Sequence, residues 1–268
     1  MTDTKLDNSH VIKLFAVSKE NPVKMVSDGR EMDVPGVALP SGVYEVVSGS
    51  YLYRGNICLF QDGYCYDLYN LPENLTIYGD LVLSGFGLTE LPDLSKTMVL
   101  GKFDCSHNLL KDLRNSPGYA KIYDCSVNLE LTSFSGATNT VREFVASCVP
   151  RVVSLENIPY AKIYNLNGNP QLAHSPKYPG AKLFECLPDE FDTLNIQDGP
   201  AKIDIRGKTI KIIDVSYNFR RKSLADMPSN AEQVIYNNCA NLTNEAIADY
   251  NRRRRIYLEL QRQTEIEF

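Results

Sequence analysis

Short segments in which apolar and polar residues alternate recur along the middle of the chain. The nonapeptide AKIYDCSVN at 120–128 returns as AKIYNLNGN at 161–169 and as AKLFECLPD at 181–189. Looser copies occupy 78–86, 100–108, 141–149, 210–218 and 231–239. Their ninth residues are spaced by 20 to 22 positions, apart from one interval of 29 in which residues 190–209 form an insertion or a degenerate repeat. Self-similarity at this period indicates stacked repeats.

Positions 4 and 6 of each nonapeptide are apolar, and this alternation predicts a short strand with one buried face. Tyr123 and Cys125 occupy these positions in the copy at 120–128, and Phe184 and Cys186 occupy them at 181–189. A further apolar residue, such as Leu131, follows position 9. Each unit is too small to bury its own apolar face, so stacking must supply the neighbour. The pattern therefore predicts a solenoid with a parallel sheet.

The segment LPENLTIYGDLVLSGFGLTELPDL at 71–94 resembles the short bacterial-type leucine-rich repeats of secreted effectors, such as the YopM-like and invasion-plasmid-antigen-like proteins. The resemblance covers about residues 71–243 and follows the grammar LxLxxNxL. It implies a leucine-rich repeat solenoid, α/β by convention but mostly β in content, with a concave parallel sheet. Some members of the family carry a C-terminal ubiquitin-ligase domain with a Cys-x-Asp nucleophile. Only 25 residues follow the last repeat, so we expect a binding scaffold without the ligase.

The segments on either side of the repeats predict caps. Residues 1–70 contain β-prone runs separated by turn signals, which favours a β-rich N-terminal cap or small domain. This region also contains Cys65 two residues before Asp67, but a strand-like stretch before the repeats is not where we expect a catalytic nucleophile. Residues 244–268 predict a capping helix. Its four consecutive arginines, 252–255, point in different directions on a helix and are expected to be solvated or paired with acids.

Composition narrows the class of protein. The chain is 43% hydrophobic and 23% charged, as in ordinary soluble proteins, and its net charge of -5 argues against general nucleic-acid binding. Three of the seven cysteines fall on inward repeat positions, which favours core thiols in a reducing compartment. The chain shows neither a secretory signal peptide nor an apolar run long enough to cross a membrane. We expect a cytoplasmic protein, and export into a host cell by a non-cleaved signal is the alternative.

The positions that alternate with the buried ones predict a binding surface on the concave face. Position 5 forms an acidic column and position 3 an apolar column, in which the candidate binding residues are Asp104, Asp124, Glu185 and Asp214, and Ile122, Ile163, Leu183 and Ile212. Parallel strands lie about 4.8 Å apart, so neighbouring aspartates repel unless a cation lies over them. We therefore expect a protein partner whose binding segment is basic and apolar. The alternative is that both columns are merely solvated faces of a structural stack.

The asparagines at position 9 are expected to be structural. Their amides can bond the backbone of neighbouring turns, where buried polar groups need partners. This set comprises Asn108, Asn128, Asn169 and Asn218.

An enzyme is the rival class of function. The three histidines are 67 or more residues apart, and neither a zinc-finger spacing nor a nucleotide-binding glycine motif is present. We therefore expect no catalytic residue, metal or cofactor. A hydrolase that pairs concave-face carboxylates is conceivable, although an open sheet excludes water poorly. A structural or phage-associated protein that binds through its N-terminal domain is the other alternative.

Overall fold

The structure, a computed structural model, describes ten stretches of the chain. They are 11–12, 23–27, 30–34, 43–47, 50–53, 56–58, 60–61, 64–66, 74–173 and 184–266.

The N-terminal β-prone runs contain eight short strands in the described segments. They are β1 Val11–Ile12, β2 Val23–Ser27, β3 Arg30–Val34, β4 Val43–Val47, β5 Ser50–Tyr53, β6 Ile57–Cys58, β7 Phe60–Gln61 and β8 Tyr64–Tyr66. The pairs β2 and β3, β4 and β5, and β7 and β8 are antiparallel. Both β5 and β6 pair in parallel with strands of the repeat region. This pairing covers the open edge of the repeat sheet, the role expected of a cap.

The repeat region forms one parallel ladder that winds through about seven turns. Its strands are β9 Leu75–Ile77, β10 Leu81–Val82, β11 Met98–Asp104, β12 Tyr119–Asp124, β13 Glu143–Val145, β14 Ile163–Asn165, β15 Glu190–Asn195, β16 Thr209–Asp214 and β17 Gln233–Ile235. Equivalent repeat positions pair with one another, for example Tyr123 with Phe144 and Phe144 with Tyr164. The predicted repeat solenoid is confirmed.

The inward positions form the core as the alternation predicts. Phe103, Tyr123 and Phe144 at position 4 are buried, and their rings contact each other from turn to turn at centroid distances of 5.1 and 5.8 Å. The one polar atom of Tyr123 is paired, since its hydroxyl lies 2.6 Å from the hydroxyl of Ser116. Edge-to-face aromatic pairs contribute about 0.5 to 1.5 kcal/mol beyond area burial, so the ring stack stabilises neighbouring turns.

A left-handed residue ends each strand segment, at position 8. Its φ is +53° at His107, +56° at Val127 and +66° at Gly168. The turn places the next residue, an asparagine in four copies, inside the solenoid. The Asn128 amide donates to the carbonyls of Cys105 and Cys125 at 3.0 and 2.9 Å, and its oxygen accepts from the backbone N–H of Leu110 at 3.1 Å.

Equivalent bonds involve Asn108 and Asn169, and the Asn218 amide donates to two carbonyls of the preceding turn. The structural role expected of the asparagines is confirmed.

The prediction for residues 181–189 was wrong. Phe184–Cys186 is a 3₁₀ turn, and the strand that continues the ladder beyond β14 is β15. Thr193 pairs with Ile163, so residues 191–199 are the true repeat and the extra length precedes them. Phe184 is buried as predicted, whereas Cys186 is exposed. An apolar residue in the repeat pattern predicts that its side chain is buried, but it does not predict that its backbone pairs with the neighbouring strand.

Helix α1, Asn244–Ile266, follows the last strand. Its first turn is capped by Thr243, whose hydroxyl accepts from the backbone N–H of Ala246 at 3.2 Å. Tyr250 is buried against the last turns, and its hydroxyl donates to the carbonyl of Pro228. The structure gives the arginines 252–255 largely structural partners. Arg252 and Arg253 pair with Asp249 at 2.7 and 3.3 Å, and Arg253 also donates to a solenoid carbonyl.

None of the helices in the described part of the chain is both long enough and apolar enough to cross a membrane.

Candidate functional site

The face of the main sheet opposite the core carries the side chains of positions 3 and 5. This is the surface that the repeat pattern predicts as the concave face, and we refer to it below as the outer face. Asp104 and Asp124 are directly paired residues on β11 and β12, as the sequence predicts. Their charges are already matched within the chain. The ammonium of Lys102 lies 2.9 Å from Oδ2 of Asp104 and 2.7 Å from Oδ2 of Asp124. The cation that the sequence led us to expect from a partner is therefore intramolecular.

The hydrogen bonds of this cluster explain how two aspartates coexist in adjacent strands. Burial alone would raise the pKa of Asp104, but hydrogen bonds from Ser106 and the ammonium of Lys102 hold that pKa below its ordinary value. Burial would lower the pKa of Lys102, and the two carboxylates raise it instead. The aspartate side chains are only 16% and 13% exposed. Little of either carboxylate is left for a partner.

The rest of the position 5 row is also bonded internally. Asp214 accepts from the side-chain amide of Gln197 at 2.6 Å and from the backbone of Ser216 at 2.9 Å. Asn195, which occupies position 5 in the corrected repeat, donates to Asn165, and Asn165 donates to Glu143. Glu185, which the sequence placed in this row, lies in the 3₁₀ turn of Phe184–Cys186 and is not in the ladder. Asn195 replaces it.

Three of the four residues predicted for the apolar row at position 3 lie on the outer face. Ile122 and Ile163 are half-buried, and Ile212 is 37% exposed. Thr193 and Glu143 interrupt the row. Leu183 lies outside the described residues. The apolar row is real but discontinuous.

Position 2, which the prediction did not consider, carries the free charges. Lys121, Arg142 and Lys162 are exposed and lie side by side in three consecutive turns. The Arg142 N–H donates to the carbonyl of Lys121 at 2.8 Å, and the Lys162 N–H donates to that of Arg142 at 3.0 Å. Among the described residues, no carboxylate lies within ion-pairing distance of any of them. We call these three residues the cationic row.

The cationic row is bounded by an ion pair on one side. Asp192 follows Lys162 in the ladder, but its carboxylate pairs with Lys211 at 2.6 Å. The Lys211 hydrogen bond is the main cause that lowers the pKa of Asp192, and the charges of Lys162 and Arg142 add to it. Asp192 is thus ion-paired with Lys211, and it does not neutralise the cationic row.

Exposed aromatic rings lie next to the cationic row. Tyr119 and Tyr160, two residues before Lys121 and Lys162, are 37% and 48% exposed. Positive and aromatic side chains in one patch are typical of a recognition surface. Strict alternation from positions 4 and 6 would point position 2 inward, which is why the sequence did not reveal this row. Position 1 is buried at Ala120, Val141 and Ala161, and the next buried residue is position 4, so the period of two is broken between them and position 2 is exposed.

The described residues contain no cluster of three or more potential metal-ligating side chains. Asp104 and Asp124 form a carboxylate pair that the ammonium of Lys102 bridges. Comparison of the chain with protein families, with curated proteins and with solved structures finds no match.

Proposed function

We propose that the protein is a non-catalytic interaction scaffold that binds a protein segment across the outer face of its sheet. The observation that carries this proposal is the cationic row of Lys121, Arg142 and Lys162 beside the exposed rings of Tyr119 and Tyr160. Three like charges in adjacent turns of the solenoid repel one another, and an anionic partner would relieve that repulsion. A hydrogen-bonded ladder is preformed, so little conformational entropy is lost when a partner binds.

The partner we propose carries acidic and apolar residues. The sequence favoured a basic partner because of the acidic column, but Lys102 already occupies Asp104 and Asp124. Acidic side chains of the partner would lie over the cationic row, and its apolar residues would contact the tyrosines and Ile212. Rim charges of this kind raise the association rate and select the partner, while the apolar contacts supply most of the affinity.

The repeat type and the cellular location belong to the same proposal. We propose that the solenoid is of the leucine-rich repeat class, related to bacterial effectors. One ladder strand per turn and the buried asparagine at position 9 support this assignment. We also propose a cytoplasmic location. Cys105 and Cys125 are packed as core residues, an arrangement that suits a reducing compartment.

The test is a crosslinking pull-down from host and own-cell lysates with three forms of the protein. They are the wild type; a sheet variant, Lys121→Gln/Arg142→Gln/Lys162→Gln; and a matched control that removes three exposed cations elsewhere, Lys202→Gln/Arg220→Gln/Lys222→Gln. Circular dichroism first establishes that all three fold alike. The two variants have equal net charge, so any difference between them reports position and not overall charge.

We expect a partner that the wild type and the matched control capture and the sheet variant loses. Capture by the wild type should also weaken as salt rises, because exposed charges are screened within about 8 Å at physiological ionic strength. If the sheet variant captures the same proteins as the wild type, the outer face is not the working surface.

A further inference from the structure

A groove lies between the loop segments that follow β15 and β16. Its volume is about 530 Å³, and its lining includes Lys202, Asp204, Arg206, Arg220, Lys222 and Asp226. Ligand-binding clefts commonly have volumes of about 300 to 1,000 Å³. Backbone bonds hold the two sides together. The N–H of Ile203 donates to Oδ2 of Asp226 at 2.9 Å, and the N–H of Ile205 donates to the Asp226 carbonyl at 3.1 Å.

Both carboxylates of the groove are already engaged. Asp204 accepts two hydrogen bonds from Arg206, from Nε to Oδ1 and from Nη2 to Oδ2, each 2.7 Å long. This bidentate contact is the main cause that lowers the pKa of Asp204. Asp226 accepts from Arg221 at 2.8 Å as well as from Ile203. Neither acid is available to the other cations of the groove.

Three cations of the groove therefore have no counter-charge. Lys202, Arg220 and Lys222 are exposed, and none of them forms an ion pair with a described residue. Including Arg206 and Arg221, the groove region contains five cationic side chains against two carboxylates. This local excess is the reverse of the chain's net charge of -5.

A buried arginine, Arg221, lies behind the groove. Arg221 is fully buried at a core position, three residues after the turn asparagine, where other turns have Leu131, Val152 and Leu172. It donates to Asp226 and to the carbonyl of Ser223 at 3.1 Å. Its Nε and Nη2 have no partner in the described part of the chain. A buried guanidinium normally costs several kcal/mol, so its position beside a cationic groove requires a physical reason.

We propose that this groove binds the phosphate groups of a small anionic ligand. Arginine and lysine are the usual phosphate-binding side chains, arginine through a planar fork and lysine as a point charge. Arg220 and the two lysines would contact the phosphate oxygens directly. Arg221 acts indirectly, because it engages the Asp226 carboxylate, which would otherwise repel the phosphate groups. The site is separate from the cationic row of the sheet, and it does not depend on the proposed protein partner.

The experiment uses isothermal titration calorimetry with inorganic pyrophosphate as the probe, on the full chain at low salt. The groove variant is Lys202→Gln/Arg220→Gln/Lys222→Gln, and the control is Lys111→Gln/Arg255→Gln/Arg262→Gln, which removes three exposed cations that belong to neither proposed site. All the replaced side chains are exposed, so the fold should be unchanged, which circular dichroism checks. We expect a Kd below about 1 mM for the wild type and for the control, and a Kd at least about tenfold higher for the groove variant.

A second titration with a nucleoside diphosphate distinguishes two sources of phosphate. Tighter binding than pyrophosphate indicates a nucleotide whose remaining atoms contact the apolar part of the groove wall. Equal binding indicates that the phosphates alone are recognised. The proposal is overturned if pyrophosphate gives no heat, or if it binds the groove variant as tightly as the wild type. It is also overturned if the control loses pyrophosphate binding to the same extent, because the effect would then be one of net charge.

Discussion

Replacement of Lys102 by Met tests the internal neutralisation of Asp104 and Asp124. Methionine keeps an unbranched stem of similar length and removes only the ammonium. The two carboxylates would then face each other about 5 Å apart on paired strands. Their repulsion is about 1 kcal/mol at the dielectric constant of water and about 3 kcal/mol at an effective value of 20. Because Lys102 is one-third exposed, we expect a loss between these limits, about 2 kcal/mol.

The contribution of Asp104 to the pH dependence of stability should change sign in this variant. In the wild type the folded pKa of Asp104 is lowered, so its contribution is present above the unfolded pKa and is lost as pH falls through the folded pKa. In Lys102→Met, burial and the neighbouring charge both raise the pKa of Asp104. The folded state then binds more protons than the unfolded state. Acidification from pH 7 toward pH 4 should therefore recover part of the lost stability.

Urea unfolding followed by circular dichroism, repeated between pH 7 and pH 4, measures both effects. Lys102→Arg preserves the charge and should remain within about 0.5 kcal/mol of the wild type. Lys121→Met removes an exposed cation of the next strand and should cost equally little. A Lys102→Met variant that is as stable as the wild type at pH 7 and weakens on acidification in the same way would refute the bridging role.

Three further predictions concern the turns and the thiols. Asn128→Leu should cost about 2 to 4 kcal/mol, since at least three bonds to buried backbone groups are lost at about 0.5 to 1.5 kcal/mol each. Exposed Asn139→Leu should leave the thermal melt nearly unchanged, and an unchanged melt for Asn128→Leu would contradict the structural role of that asparagine. Val127→Gly should raise the unfolding free energy by about 0.5 to 1 kcal/mol, because a β-branched residue in the left-handed conformation costs more than the extra chain entropy of glycine. A lower unfolding free energy would mean that packing of the valine methyl groups outweighs this backbone strain. A thiol reagent should label exposed Cys148 quickly and buried Cys125 only on unfolding, because burial raises the pKa of Cys125 well above its ordinary value. Equal labelling rates for the two thiols in the native protein would contradict the burial of Cys125.

The sequence predicted the solenoid because its evidence is local. Residues of one strand alternate in a period of two, and identical units must pair with their own copies, so Tyr123 and Phe144 could be assigned to one core column without coordinates. The asparagines could be assigned for the same reason. Such evidence does not fix where an irregular turn joins the ladder. Phe184 satisfies the pattern and is buried, yet its segment forms a 3₁₀ turn and the ladder resumes at β15.

The candidate site was harder to predict because it depends on contacts between strands. The sequence predicted the aspartate column and the need for a cation to neutralise it. It did not identify that cation as Lys102, whose side chain reaches Asp124 on the adjacent strand. The lysine was visible at position 3 of the same copy as Asp104. The cationic row was missed for another reason. Strict alternation assigns position 2 to the core, but the buried residues are positions 1 and 4, so the period of two is broken between them.

Net charge is a poor guide to what this surface binds. The three aspartates at position 5, Asp104, Asp124 and Asp214, are already bonded to lysine, amide and backbone donors. The cationic row and the groove cations have no such partners among the described residues, so the exposed unpaired charge in both places is positive. Charges more than about 8 Å away are largely screened at physiological salt, so a partner near either patch responds to local cations and not to the chain's total of -5. Two spatially separate cationic patches on an acidic protein are the basis on which we propose an acidic protein segment for one and a phosphate ligand for the other.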